Sequence, residues 1–522
     1  MLPPGRFMIA LSASCILVLV AGTPASDRPQ WGQRWSRNMV ADEQGLPDSF
    51  DPAGGRNIKW AARLGTETHS TPVIAQGRVF IGTNNGAPRD PQDQGDRGVL
   101  MSFNEKDGRF LWQLAVPKLR TSIYWDWPNA GICSPATVEN DRLYITSNRG
   151  EVLCLDPAGM ANGNSGPYLD ERNPAVTAGA GAVTSPSIGA DIVWRFDMLK
   201  ECGVRQHDSA HASILAHGPF LYVNTSNGVD DTHKKIDAPD APSLIVLEKA
   251  TGRLVATDGE RIGPRIFHST WSSPALGEVH GRELIFFCGG DGVVYAFEPF
   301  AGDPIRVSSE GLSTAGIGST RSTGKVARLK KVWQFDCDPG APKEAVHRYN
   351  GNRRESPSNI KSMPVFHGNR VYVTVGGDLW WGKRQAWLKC IDATKTGDIT
   401  KTGELWSYPL DRHSMSTPAI HDGLVYVGDS GRKLHCLDAE TGKLYWNHAM
   451  EGEIWASPLV ADGKVYVATR QGELFIFKAG KEKKLLTEMQ LNSPISSSPV
   501  AANGVLYIAT MTHLYAVHQA VR

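Results

Sequence analysis

The sequence predicts an all-β chain closed into an eight-bladed β-propeller of four-stranded antiparallel blades. Three observations predict it: a phrase that recurs eight times, prolines that open its copies at near-regular spacing, and two ends that complete each other. The clearest copy is TPAIHDGLVYVGDSGRKLHCLDAETGKLYW, residues 417–446. It reads as three alternating apolar runs, a Thr-Gly turn and a fourth run ending in Trp446. Such a unit cannot bury its apolar faces alone, so copies must stack around a ring.

The opening prolines are Pro72, Pro135, Pro274, Pro364, Pro418, Pro458 and Pro499. The gap after Pro135 holds a further unit, found by aligning ILAHGPFLYV (214–223) on PVIAQGRVFI (72–81). Matching the glycines instead would put Ser213 rather than Ile214 in the proline slot. Trp60, Trp406 and Trp446 each stand twelve residues before an opening proline, yet no opening strands precede Trp60. The last unit, SSSPVAANGVLYIATMTHLYAVHQ, stops without its Trp strand. An N-terminal strand around Trp60 therefore completes the last blade, removing an edge that would otherwise template aggregation.

The repeats leave residues 1–25 as a secretory signal, 26–56 as a short lead and 57–522 as the propeller. The signal reads as Arg6, an apolar core over 7–20 and a small-residue cleavage site at Thr23-Pro24-Ala25. Its apolar run is short for a transmembrane span, and Cys15 is followed by Ile-Leu-Val rather than a polar mature terminus, which disfavours lipidation. A periplasmic or secreted monomer without a transmembrane segment is expected. With 55 basic and 54 acidic side chains, no global field favours nucleic acid. Cys154, Cys390 and Cys436 occupy one slot before Leu-Asp or Ile-Asp in three different units. Equivalent slots of separate blades lie beyond the roughly 7 Å a disulfide spans, so these three read as buried thiols. A pair among Cys133, Cys202, Cys288 and Cys337 stays open.

CLDAETGKLYW (436–446) and SFNEKDGRFLW (102–112) resemble the tryptophan-docking repeat of pyrroloquinoline-quinone propellers, with Trp eight residues after Asp or Asn. VLEKATGRLVA (246–256) keeps the turn and loses the Trp. The resemblance covers nearly the whole mature chain. It places the chain beside quinoprotein alcohol dehydrogenases, BamB-type assembly lipoproteins and exported bacterial relatives without assigned activity. For the dehydrogenases it implies pyrroloquinoline quinone under a disulfide of adjacent cysteines, Ca²⁺ held by Glu, Asn and Asp, and an Asp base. VNTSNGVDD resembles the Asn-ligand segment through Asn227, and HSTWSSP resembles the acidic segment through His268 and Trp271. The acidic positions are Ser269 and Ser272, no two cysteines are adjacent, and no Glu counterpart stands out. A hydroxyl replaces neither a hard-cation carboxylate nor a general base.

The residue three before each opening position forms a ring at one end of the axis: His69, Ile132, His211, Trp271, Lys361, Met415, Trp455 and Ser496. It reads either as an axial plug or as a ligand mouth. Trp271, Trp455, Asn227, His268, His211 and His69 are the residues expected to bind a ligand or cofactor. Three loop clusters lie near: Trp125-Asp126-Trp127; His207-Asp208 with His211, whose spacing allows metal ligation but suits loop packing; and Asp378 with Trp380 and Trp381. The inserts over 157–188 and 302–325 read as loops without a phosphate-binding glycine motif or nucleophile elbow. The expected role is a non-catalytic exported module that binds an envelope protein or a small molecule at one face, with no catalytic residue and no metal. The alternative is a quinone-dependent alcohol or sugar dehydrogenase with altered metal ligands, pyrroloquinoline quinone and Ca²⁺ being the cofactors the resemblance would supply.

Overall fold

The computed structural model describes residues 26–119, 121–168, 188–302 and 326–519. The expected secretory signal lies outside them, as do most of the two inserts. Eight sheets follow one another around the ring, seven built on meanders of successive strands and the eighth completed by a strand from the N-terminal side. In the first blade these are Val73–Ala75, Arg78–Asn84, Arg97–Asn104 and Phe110–Pro117. Short parallel strands lengthen three blades: Val40–Ala41, Ala327–Arg328 and Gly397–Asp398. No helix among the described residues is long and apolar enough to cross a membrane.

The ring closes as the sequence predicts. Ile58–Arg63 pairs antiparallel with His513–Val517, setting Trp60 opposite Ala516. In third-to-fourth-strand register this is the slot of Trp112, Trp194, Trp333, Trp406 and Trp446. Ala256 and Thr487 occupy it in the two blades that lack the tryptophan.

Each of these six indoles crosses to the next blade and donates its Nε1–H to a carbonyl in that blade's turn. The acceptors are Glu105 for Trp60 (2.9 Å), Pro157 for Trp112 (3.0 Å), Lys249 for Trp194 (2.9 Å), Ala393 for Trp333 (3.2 Å), Ala439 for Trp406 (3.1 Å) and Gly480 for Trp446 (3.0 Å). The turn glycine meets two demands at once. Gly442 sits at φ +70°, and a Cβ there would stand 2.5 Å from the Trp406 ring. Left-handed backbone and an indole lying flat against it both exclude a side chain.

Two register details differ from the sequence reading or refine it. Leu215–His217 and Phe220–Asn224 superimpose in hairpin register on Val73–Ala75 and Arg78–Asn84, so Ile214 holds the proline slot. In the second blade Thr137, not Ala136, matches Val73, which puts Ala136 in that slot and Pro135 one residue ahead of it. The ring member is therefore Cys133. Ile132 is fully buried and belongs to the core cluster that also holds Val73, Leu100 and Leu143.

The lead over 26–56 is more than an approach to the first strand. It crosses one end of the axis and pairs with the second residue of innermost strands all round the ring. Ile74 exchanges backbone hydrogen bonds with Arg28, and the amides of Val138, Leu276, Phe366 and Val460 donate to Pro29, Trp35, Ser36 and Met39. Asn38 uses its amide on both the N–H and the C=O of Ile420 (2.8 Å each). Arg37 is fully buried and donates to the carbonyls of Pro274 (2.8 Å) and Ser213 (3.2 Å). These strand groups point at the axis, where they would otherwise be buried without partners.

All seven described cysteines are free thiols, including Cys133, Cys202, Cys288 and Cys337. Burial pushes the Cys390 and Cys436 thiols up to about 12. Thiol labelling of the native protein should leave Cys154, Cys390 and Cys436 untouched and modify them after denaturation; a bridge between any two would refute the register. Gly442→Ala should destabilise by at least about 2 kcal/mol, combining left-handed strain with overpacking. Gly423→Ala, at φ +73° with nothing within 4 Å, should cost only the strain, about 1 kcal/mol. Equal losses in denaturant titrations would remove the indole contact from the explanation.

Candidate functional site

Opposite the end sealed by the lead, the ring opens into a cavity of about 910 Å³. His69, Cys133, His211, Trp271, Lys361, Met415, Trp455 and Ser496 all line it, which is the sequence-derived ring once the second blade is corrected. Trp31, from the lead, lines it as well. Loops add Tyr124, Asp208, His233, His268, Trp380 and Arg470 to the wall. At the rim, Trp127, Trp380 and Trp381 remain 42%, 40% and 37% exposed.

Lys361 organises one wall. Its ammonium lies 4.1 Å from the Trp271 ring centre and 4.4 Å from that of Trp380, an arrangement in which both faces attract the cation. Asp378 answers it at 3.1 Å and also meets His268 Nδ1 at 3.2 Å. The amides of Trp380 and Trp381 donate to the other Asp378 oxygen (3.0 and 3.1 Å), which ties the rim tryptophans to the buried ion pair. Burial alone would raise the Asp378 pKa; His268 and Lys361 outweigh it and hold the carboxyl well below the usual carboxylate range. Across the cavity, Arg470 lies 4.2 Å over the Trp455 ring and donates to Ser496 Oγ at 2.9 Å. Trp455 donates to Glu453 (2.9 Å).

Burial lowers the basicity of three of the histidines, His207, His211 and His233. His211 packs on Trp271 (4.5 Å between ring centres) and bonds the Asp208 carbonyl; burial and the neighbouring His69 lower it to about 3. Burial, then His268 and His233, drive His207 well below the ordinary imidazole range, and burial followed by His268 lowers His233. His207, His233 and His268 come together although they sit on three separate loops, with one ring nitrogen of each within 4.8 Å of the others. Sequence spacing pointed to His207 with Asp208 and His211. It gave no signal for His233, and it set His268 in a different motif.

Of the six expected binding residues, Trp271, Trp455, His268, His211 and His69 line the cavity. Asn227 stands apart, fully buried, with its amide donating to the Ala238 carbonyl (2.9 Å) and accepting from the Arg205 N–H (3.1 Å). Ser269 Oγ lies 3.4 Å from His268 Nδ1, and Ser272 Oγ donates to the Ser362 carbonyl (2.7 Å). The positions that the dehydrogenase resemblance assigns to Ca²⁺ thus offer a committed amide and two hydroxyls. The donor set does not fit that ion. Asp126 likewise serves packing, accepting from Lys118, Leu119 and Asn148.

A family profile described as outer membrane protein assembly factor BamB matches residues 36–158 and 384–517. Those two segments carry a BamB-like domain of the pyrroloquinoline-quinone-repeat type, just under half of the chain. The chain is similar to BamB of Legionella pneumophila (strain Paris), 29% identical over 122 residues, covering 23% of this chain and 28% of that protein. It is also similar to lupanine 17-hydroxylase [cytochrome c] of a Pseudomonas species, 23% identical over 437 residues, covering 77% of this chain and 52% of that protein. The chain thus spans about half the length of the second relative, and less of the first. The structure of quinohemoprotein alcohol dehydrogenase from Comamonas testosteroni shares the fold, with a TM-score of 0.56 at 10% identity over 95% of this chain and 81% of that one. The profile skips 159–383, the interval that supplies His207, Asp208, His211, His233, His268, Trp271, Lys361, Asp378 and Trp380 of the cavity wall and its surroundings.

Removing Lys361 should expose how the wall is built. Lys361→Met leaves Asp378 buried with one cation fewer and should cost about 3–5 kcal/mol. Lys361→Met combined with Asp378→Asn should recover part of that loss in denaturant titrations. A double variant as unstable as the sum of the single ones would show the two groups to be uncoupled.

Proposed function

We propose that this BamB-like propeller is an exported, non-catalytic binding module that takes a planar, oxygen-bearing small molecule into its axial cavity. The observation that carries this reading is the wall in which Trp271 and Trp380 flank the Lys361 ammonium while Arg470 covers Trp455. Flat indoles supply stacking area at low entropic cost. Arg470 keeps N–H groups beyond the one spent on Ser496, enough to meet ligand oxygens, while the buried Lys361 ammonium, shared between Asp378 and His268, gives the wall its positive charge. A cavity of about 910 Å³ lies within the ordinary range for small-molecule sites, and the lead beneath it leaves one mouth. Periplasmic or secreted placement rests on the reading of residues 1–25 and on the BamB kinship.

A dehydrogenase is the second reading, favoured by the similarity to lupanine 17-hydroxylase across 77% of the chain. Against it stand Ser269 and Ser272, where the family's chemistry calls for carboxylates. Pyrroloquinoline quinone itself serves as the probe, added without metal and followed by quenching of tryptophan fluorescence. Trp271→Ala and Trp455→Ala should each weaken binding by about 1–2 kcal/mol, roughly five- to thirtyfold. No binding of the quinone or of simple aromatic carboxylates to the folded chain would overturn the reading. Dye reduction with Ca²⁺, quinone and alcohols would establish the second one instead.

A further inference from the structure

We infer that His207, His233 and His268, with Asp208, form a binding site for a divalent first-row transition ion toward the Cu²⁺/Zn²⁺ end of the series. The inference is independent of the small-molecule reading above. One ring nitrogen of each histidine lies within 4.8 Å of the others. Donors on a tetrahedral ion stand about 3.4 Å apart, given bonds near 2.1 Å, so a contraction of at most about 1.4 Å completes the site.

The orientations of two rings are set from outside. His207 Nδ1 lies 2.9 Å from the Val229 carbonyl, which directs Nε2 inward. His268 Nδ1 lies 3.2 Å from Asp378 Oδ2, leaving its Nε2 on the cluster side. A carbonyl or carboxylate behind a ligating imidazole is how metal sites fix ring tautomer and direction. Both inward nitrogens face one oxygen: Asp208 Oδ2 is 3.6 Å from His207 Nε2 and 4.0 Å from His268 Nε2. The ring centres of His233 lie 4.8 Å from His207 and 5.4 Å from His268.

His207 Nε2 is the second, independent observation. It is buried, belongs to a side chain with no exposed surface and has no hydrogen-bond partner. Natural proteins rarely leave such an atom without a function, and an ion at the centre of the cluster would satisfy it. Three imidazoles and one carboxylate select an ion of borderline softness over Ca²⁺ or Mg²⁺, which demand oxygen. Asp208, His233 and His268 also line the cavity, so the ion would face it. None of these four residues occupies the positions through which the quinoprotein resemblance reads Ca²⁺ ligation.

The test uses the untagged full chain, stripped with EDTA and titrated with Co²⁺ and Zn²⁺, with metal content read after gel filtration. One equivalent should be retained in the presence of excess Ca²⁺, and Co²⁺ should develop the strong visible bands of a four-coordinate nitrogen-rich site. Asp378→Asn, which removes the carboxylate behind His268 without removing a proposed ligand, should weaken binding about 10–100-fold, with circular dichroism checking that the loss of its Lys361 contact leaves the fold intact. His233→Gln should weaken it more, with circular dichroism confirming the fold. The Cu²⁺ form should show imidazole nitrogen couplings in its electron paramagnetic resonance spectrum, a readout that needs no variant. Failure of the folded chain to retain one equivalent of either ion would overturn the inference. So would affinity unchanged in a folded His233→Gln protein, or a Cu²⁺ spectrum without imidazole nitrogen.

Discussion

The ring stands on one repeated contact, the indole that leaves the fourth strand of a blade and hydrogen-bonds a turn carbonyl of the next. It joins a large apolar burial to a polar tether in one side chain, so it fixes both the distance and the angle between neighbours. The contact also explains the turn that accepts it. Trp60 lies on Gly108 and Trp406 on Gly442, in each case against a glycine with left-handed backbone. Wedge and turn are therefore one device split between two blades, and neither has its full meaning within a single repeat. Because Trp60 makes the same contact from the N-terminal side, closure is one more instance of the rule that joins the blades.

Axial function follows from how unlike the two ends are. At one end the lead hydrogen-bonds strand after strand and carries Arg37 into the axis, which removes solvent from that side. At the other, loops of unequal length bring cations, indoles and imidazoles to a common wall. Asp378 links these features. It holds Lys361, orients His268 and anchors the amides of Trp380 and Trp381. A perturbation at this carboxylate would reach the aromatic wall and the histidine cluster together.

The fold was legible because repetition multiplies a weak signal; one strand pattern is ambiguous, and eight in register are not. Counting from the prolines even located the mouth of the cavity. It slipped at the second blade, where Pro135 precedes the slot that Ala136 fills, and so named Ile132 in place of Cys133. The lead was invisible as a seal because its bonds are mostly backbone bonds, and such bonds leave no periodic trace in sequence. The histidine cluster escaped for a different reason. His207, His233 and His268 sit in loops that only ring closure brings together, and nothing local ties one to another.

The lead also bears on the order in which the molecule can be made. Arg28 reaches the carbonyl of Ala501, 473 residues away, and Ile58–Arg63 waits for His513–Val517. Contacts of such separation form late, since the loop they close carries its entropic cost before any of its reward. A partly emerged chain has blades but neither floor nor finished ring, and hence no cavity in which to hold anything. Capture of a ligand or an ion thus belongs to the completed molecule, and loading is a step that comes after folding rather than a guide to it.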